Sequence, residues 1–261
     1  MNETVTPDAK RRGGRRERRD LRTRPDHAML PTLAGQLPLT EPMDQEQIER
    51  IDAASLDILE EVGVVFRDDI ALEDWRKAGA DVRGERVHLD RGLVKSLIKT
   101  IPSEITLHAR NPEKTVALGG RQSIFIPMTG APYLRDLEDV RRAPTLDDLA
   151  TFHKLAHMLP AMHSSAHHIV EPMDHPISHR HLRITHSSML YSDKTFMGMT
   201  TSGQNAEDVL DMCAILFGEE YLETHAVVTG NCNGNSPLVW DETMLSAMRA
   251  FNRRNQPVLC S

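Results

Sequence analysis

Five β-prone runs recur at a near-constant interval through the second half of the chain. They begin near Ser123, Ala161, Lys194, His225 and Pro257, so successive starts are 38, 33, 31 and 32 residues apart. Helical segments fill the gaps. TLDDLATFHKLAHML opens on Thr145 as an N-cap and stops at Pro160, and HRHLRITHSSMLYS, NAEDVLDMCAILFGEE and DETMLSAMRAFNRR follow the later runs. Strand and helix repeating at this length mark consecutive βα units on a parallel sheet. A closed eight-fold barrel takes about 250 residues, whereas Ser123 to Ser261 accommodates four units and the start of a fifth. The expected fold is therefore α/β, of the (β/α)8 TIM-barrel type, incomplete at about four to five βα units. An open doubly wound sheet could also stop at five strands, but neither GxGxxG nor GxxxxGK occurs. A chain that ends inside such a strand leaves an unpaired edge. The reading thus expects a truncated or split coding sequence, and a product that aggregates or dimerises.

Upstream of Ser123 the texture differs. Residues 1–43 are expected to form a basic, proline-rich extended arm, with Pro25, Pro31, Pro38 and Pro42 along it. Residues 44–122 form a helical and β-hairpin extension. Asp44, with Gln47 three residues on, makes a capping box for IERIDAASLDILEEVG. Ile48, Ile51, Leu56, Ile58, Leu59 and Val62 recur there at helical spacing before Gly63 stops the run. DIALEDWRKAG and the segment from Arg91 read as further helices. ITLHAR and TVALGG, joined by Asn111, Pro112 and Glu113, read as a hairpin. Residues 123–261 are then the first half of the barrel.

Aromatic residues make up only 4% of the chain, so the expected core is aliphatic, helped by 13 methionines. Cys213, Cys232 and Cys260 contain no CxxC pair, which gives no zinc knuckle and no disulfide framework and suits a reducing compartment. No apolar run approaches the roughly 20 residues of a membrane span, and the first residues lack the apolar core of a signal peptide. A cytoplasmic protein with no membrane partner is expected. Residues 10–24 hold nine basic and two acidic residues, leaving 22 basic against 36 acidic in the rest of a chain of net charge −7. No aromatic residue interleaves those arginines, which favours packing on an acidic protein face over binding nucleic acid.

The most chemically loaded stretch is HAVVTGNCNGNSPLVW, residues 225–240. β-branched residues run straight into Asn231, Cys232, Asn233, Gly234, Asn235 and Ser236. Three amides at the mouth of a strand are typical of a loop that binds something.

Several stretches together resemble the trimethylamine:corrinoid methyltransferase family. They are the opening RRGGRRERR, the helix end DILEEVGVVF, the hairpin LHARNPEKTVALGG, and RRAPTLDDLATFHKLAHMLP. EPMDHPISHRHL, NAEDVLDMCAILFGEE and NCNGNSPLVWDETMLSAMRAF continue the match, in order and at matching spacing over nearly the whole chain. The resemblance implies a (β/α)8 barrel with an N-terminal extension. It implies transfer of a methyl group from a methylated amine, trimethylamine or a quaternary amine such as glycine betaine, to the cobalt of a cognate corrinoid protein. The corrinoid (cobalamin) is then carried by that partner, with no cofactor bound directly. Family members run to roughly twice this length, the scale of a full barrel plus extension. One branch carries a pyrrolysine in the later half of the barrel. A homo-oligomer is expected.

A cobalt(I) corrinoid is itself a strong nucleophile, so the protein must align the methyl group and tolerate a cation. A quaternary ammonium leaves as a neutral amine and needs no proton. Candidate groups lie at the carboxyl ends of the strands. They are Thr129 and Tyr133 on the first, His168 and Glu171 on the second, Thr200 and Thr201 on the third, and Asn231 and Asn233 on the fourth. Tyr133 or Trp240 could meet a methylammonium face-on, and Glu171 could supply the opposite charge. Each has a plainer reading. Tyr133 fits a hairpin away from the mouth, Trp240 a packing anchor at a helix start, Glu171 a partner for Arg180 or Arg183, and Asn235 a turn.

His163, His167, His168, His175, His179, His181 and His186 crowd one stretch and raise the alternative of a metal-dependent barrel hydrolase. His179 and His181, however, fall on a helix, where residues two apart point in different directions. The reading therefore assigns no metal. Cys232 has no assignable histidine partner and reads as a small buried residue. An inactive fold fragment is the remaining alternative.

Overall fold

The computed structural model describes residues 28–35 and 40–260. The basic stretch 10–24 lies outside the described residues. Strand β1 (Leu33–Ala34) opens the described chain. Helix α1 (Gln45–Asp57) starts on the expected capping box. The Asp44 carboxylate accepts from the Gln47 amide at 2.8 Å, and the Gln47 side chain accepts from the Asp44 amide at 3.0 Å. A π-turn, Ile58–Val62, ends at Gly63, whose φ of 74° suits glycine. A Cβ there would stand 2.6 Å from the Val87 carbonyl oxygen. The apolar row of this helix is not buried as its spacing suggests: Ile48, Ile51, Ile58 and Val62 are exposed and only Leu56 is buried.

Strand β2 (Val64–Arg67), helix α2 (Asp69–Lys77), strands β3 (Asp81–Arg83) and β4 (Arg86–His88), and helix α3 (Arg91–Ile98) follow. Asp68 and Asp90 cap the two helices. The hairpin forms as expected: β5 (Glu104–Leu107) pairs antiparallel with β6 (Val116–Gly119). Strand β7 (Gln122–Ser123) pairs antiparallel with β1.

The run from Ser123 is not a continuous strand. Pro127 and Pro132 offer no N–H to a ladder, and Gly130 has a φ of 80°. Contact with the second run is made at points. The His163 amide donates to the Phe125 carbonyl at 2.8 Å, the Gly130 amide donates to the His168 carbonyl at 2.7 Å, and Ala131 bridges Val170 in parallel. The second run is broken too, because Ala166 takes a φ of 55°; it touches the third through a parallel bridge from Ser164 to Thr195. Between the first two runs, β8 (Leu134–Arg135) and β9 (Arg141–Arg142) form a small hairpin, and α4 (Leu146–Met158) rises from the Thr145 cap.

Helix α5 (Ile177–Tyr191), strand β10 (Phe196–Met197), helices α6 (Gly203–Phe217) and α7 (Glu219–Thr224) and strand β11 (Val228–Cys232) come next. The last elements are β12 (Val239–Asp241), α8 (Glu242–Arg253) and β13 (Val258–Cys260). β10, β11 and β13 form a parallel sheet in that order, with Phe196 opposite Val228 and Gly230 opposite Val258. Counting the bridges, the five runs adjoin one another in sequence order. Leu149, Ile184, Val209, Leu210, Val227, Val228 and Phe251 make the core between strands and helices.

Trp240 does not open a helix. It sits in β12, which pairs in parallel with β2, Trp240 opposite Phe66. Helix α8 begins only after Asp241, whose carboxylate accepts from the Met244 amide at 2.9 Å. β12 therefore joins the sheet of the extension, and Trp240 packs against both cores.

Candidate functional site

The carboxyl ends of the parallel runs surround a cavity of about 280 Å³. Thr129 and Gly130 come from the first run, His167 and His168 from the second, Met197 to Thr201 from the third, Asn231 and Asn233 from the fourth, and Met244 from α8. Open α/β sheets place ligands at this end of their strands. The strand ends are drawn together locally. The Thr200 hydroxyl donates to the Asn231 carbonyl at 2.6 Å, and the Thr201 hydroxyl accepts from the Asn205 side chain at 2.9 Å. Gly198 lets α6 and α8 close in, since a Cβ there would lie 2.9 Å from both Phe251 Cζ and Val209 Cγ1.

Six of the residues expected from sequence thus meet at one cavity: Thr129, His168, Thr200, Thr201, Asn231 and Asn233. Two do not. Tyr133 stands beside the β8–β9 hairpin, half exposed, with the Arg141 guanidinium 3.9 Å above its ring. Glu171 accepts from Arg180 at 2.8 Å, and Arg180 also donates to the His175 carbonyl, so the carboxylate serves the loop before α5. Asn235 donates to Asp241 at 2.6 Å and bridges Val239, which makes it the pivot of a turn. The residues that sequence reasoning missed are His167 and the thioether wall of Met197, Met199 and Met244. The crowding of histidines from His163 to His186 was the signal for His167, and the high methionine content that for the thioethers.

The histidines do not converge on one point. His179 is exposed beside Ser178, while His181 is buried with Nε2 at 2.7 Å from Asp208. His153 lies between the Ser187 hydroxyl at 2.9 Å and the His167 carbonyl at 2.7 Å. Among the described residues no group of three or more His, Cys, Asp or Glu could hold a metal ion. Burial, then the neighbouring His168, His153 and His181, hold His167 well below the ordinary histidine pKa. Burial lowers His168 as well, against the pull of Glu171. Both cavity imidazoles are therefore neutral at pH 7. Burial, with Cys260 nearby, pushes the Cys232 thiol up to about 11, so no thiolate forms there.

Among the described residues the cavity wall combines hydroxyls, carboxamides, neutral imidazoles and thioethers, with no carboxylate, ammonium or guanidinium in its lining. It offers room for about nine water volumes at about 30 Å³ each. That suits a small, compact ligand bearing methyl groups and one polar end.

The family model described as trimethylamine methyltransferase (MTTB) matches residues 11–261. The chain belongs to the trimethylamine methyltransferase family. The family resemblance read from HARNP and NSPLVW is thereby borne out. Among curated members of this family, the chain is 40% identical over 224 residues to the glycine betaine methyltransferase of Desulfitobacterium hafniense (strain Y51), covering 85% of this chain and 47% of that protein. It is 27% identical to the proline betaine:corrinoid methyltransferase of Eubacterium limosum, over 81% of this chain and 45% of that one. It is 26% identical to the trimethylamine methyltransferase MttB of Desulfitobacterium hafniense (strain DSM 10664 / DCB-2), over 74% and 40%. The chain spans about half the length of the curated relatives it matches. Among the described residues, no helix of this family member is long and apolar enough to cross a membrane.

Proposed function

We propose that the chain forms the substrate-binding part of a cytoplasmic methyltransferase that moves a methyl group from a quaternary amine of the betaine type to the cobalt of a cognate corrinoid protein. The observation that carries this is the cavity at the strand ends, lined by methionines and neutral polar groups, in a chain 40% identical to a glycine betaine methyltransferase. The corrinoid supplies the nucleophile. A cavity of about 280 Å³ takes a betaine and is far too small for a corrin ring, which fits a corrinoid held by a partner protein and presented at the mouth. Asn231 and Asn233 hold the polar end of the substrate, and Met197, Met199 and Met244 pack its methyl groups. Thr201 narrows the rim. The neutral His167 and His168 leave a cationic head group unrepelled. A quaternary amine departs neutral, so none of these residues has to deliver a proton. The (β/α)8 architecture is part of the same reading, supported by the five parallel runs that adjoin in sequence order. A homo-oligomer is supported by the exposed apolar row of α1.

The test mixes the protein with its corrinoid partner, reduced to the cobalt(I) state, and a panel of quaternary and tertiary amines, and follows the methylcobalamin spectrum. Methylation by a betaine supports the reading. Failure with every amine, while the same partner accepts a methyl group from a chemical donor, sinks it in favour of an inactive fragment. Methylation by trimethylamine alone replaces the betaine with a tertiary amine.

A further inference from the structure

Both tryptophans of the chain line a second cavity, of about 380 Å³, between the extension and the body. Trp240 and Phe66 are register partners on the parallel pair β12–β2, so their side chains stand on one face of that sheet. Trp75 comes from α2, its ring 5.5 Å from that of Phe66 and tilted by 57°. Phe66 is buried, whereas both indoles are half-buried and keep surface bared to the cavity. In a chain with so few aromatic residues, three of them meet here.

The charges at this cavity lean one way. Among the described residues Arg249 is its only lining cation, and both terminal nitrogens are engaged by Asp68, at 2.8 and 2.6 Å. Asp74, next to Trp75 on α2, is exposed. Lys77 comes no closer to it than 3.9 Å, with both side chains well exposed, a contact that solvent screens. Arg249 and Asp68 cancel, and Asp74 leaves the cavity negative.

Aromatic faces carry negative potential and repel a carboxylate. They attract a cation most when it gives up little hydration, as a quaternary ammonium does. We propose that this cavity binds a quaternary ammonium head group, its methyl groups against Phe66, Trp75 and Trp240 and its charge balanced by Asp74. The site shares no lining residue with the strand-end cavity, so the proposal stands independently of the methyl-transfer reading.

Intrinsic fluorescence of the chain reads this site directly, because both tryptophans lie in it. Titration with tetramethylammonium chloride, at ionic strength held constant with sodium chloride, is expected to shift the emission saturably. Trp75→Leu weakens binding about tenfold or more, and Asp74→Asn about threefold or more. Asp74 is exposed, so its variant keeps the fold, checked by circular dichroism, even if Trp75→Leu does not. Thr201→Ala, in the strand-end cavity, retains the response. Neopentyl alcohol, the neutral compound of similar shape, is expected to give no saturation. An equal response to the alcohol, no saturable response at all, unchanged affinity in Asp74→Asn, or loss of the response in Thr201→Ala each overturns the proposal.

Discussion

His167 Nδ1 lies 2.9 Å from His168 Nδ1 in the wall of the strand-end cavity. Two imidazoles can share that hydrogen bond only if one donates and the other accepts, so at least one ring must be neutral. His153 nearby is likewise pushed down by burial. The folded state therefore holds three histidines below the ordinary value of about 6.5, while the unfolded chain protonates them near it. As pH falls through that value the unfolded state gains protons that the fold refuses, and stability drops. Each group contributes a slope of up to about 1.4 kcal/mol per pH unit. Thermal melts between pH about 7.5 and about 5.5 are expected to show a falling midpoint, and His167→Asn to flatten the fall.

Asn231 and Asn233 supply the carboxamides of the cavity. The Thr200 hydroxyl bonds the main chain of Asn231 rather than its side chain, so Asn231→Ala leaves the strand ends tied. On the proposed methyl-transfer reading, each alanine variant should lower kcat/KM for methylcorrinoid formation about tenfold, the loss of one hydrogen bond to substrate. Glu171→Gln should leave KM within about twofold, because that carboxylate faces Arg180.

Much of this was legible in local signals. Asp44 and Thr145, read as N-caps, each accept from an amide three residues on and start their helices there. The spacing of the β-prone runs places Thr129, His168, Thr201 and Asn231 at one end of the sheet. What was not legible depends on distant partners. Trp240 lies in a strand because Phe66, far upstream, is there to pair with it, whereas the hairpin that holds Tyr133 away from the cavity is local and was among its sequence readings. The methionine wall went unread because methionine fills any core gap equally well.

Lys194 is buried with its ammonium on three main-chain carbonyls, those of Ala156 and Leu159 at 2.8 Å and Met162 at 2.6 Å. Burial, with Lys114 nearby, pulls its pKa down to about 8, which leaves it charged at neutral pH. It closes the carboxyl end of α4. Lys194→Met strands three acceptors and should lower the unfolding free energy by about 3 kcal/mol or more in urea titration.

Asp68 joins the extension to the body. It caps α2 by accepting from Ala71 at 2.7 Å and holds both nitrogens of Arg249 on α8. Burial pushes its pKa up, but Arg249 and the Ala71 amide outweigh that and leave it below the ordinary carboxylate value. Its stabilisation is full above about pH 4 and is lost as acidification passes the lowered pKa. Asp68→Ala should cost about 3 kcal/mol, with new protease cleavage inside residues 44–122.

The pairing of β12 with β2 also has a consequence for synthesis. β2 leaves the ribosome with β4 soon available on one edge, while the partner for its other edge is encoded far downstream. Until Val239 to Asp241 emerge, a strand bearing Val65 and Phe66 waits with half its backbone groups unpaired. That interval is a window for association between nascent chains. Translation speed between the two segments therefore bears on yield, and slow codons there would lengthen the exposure.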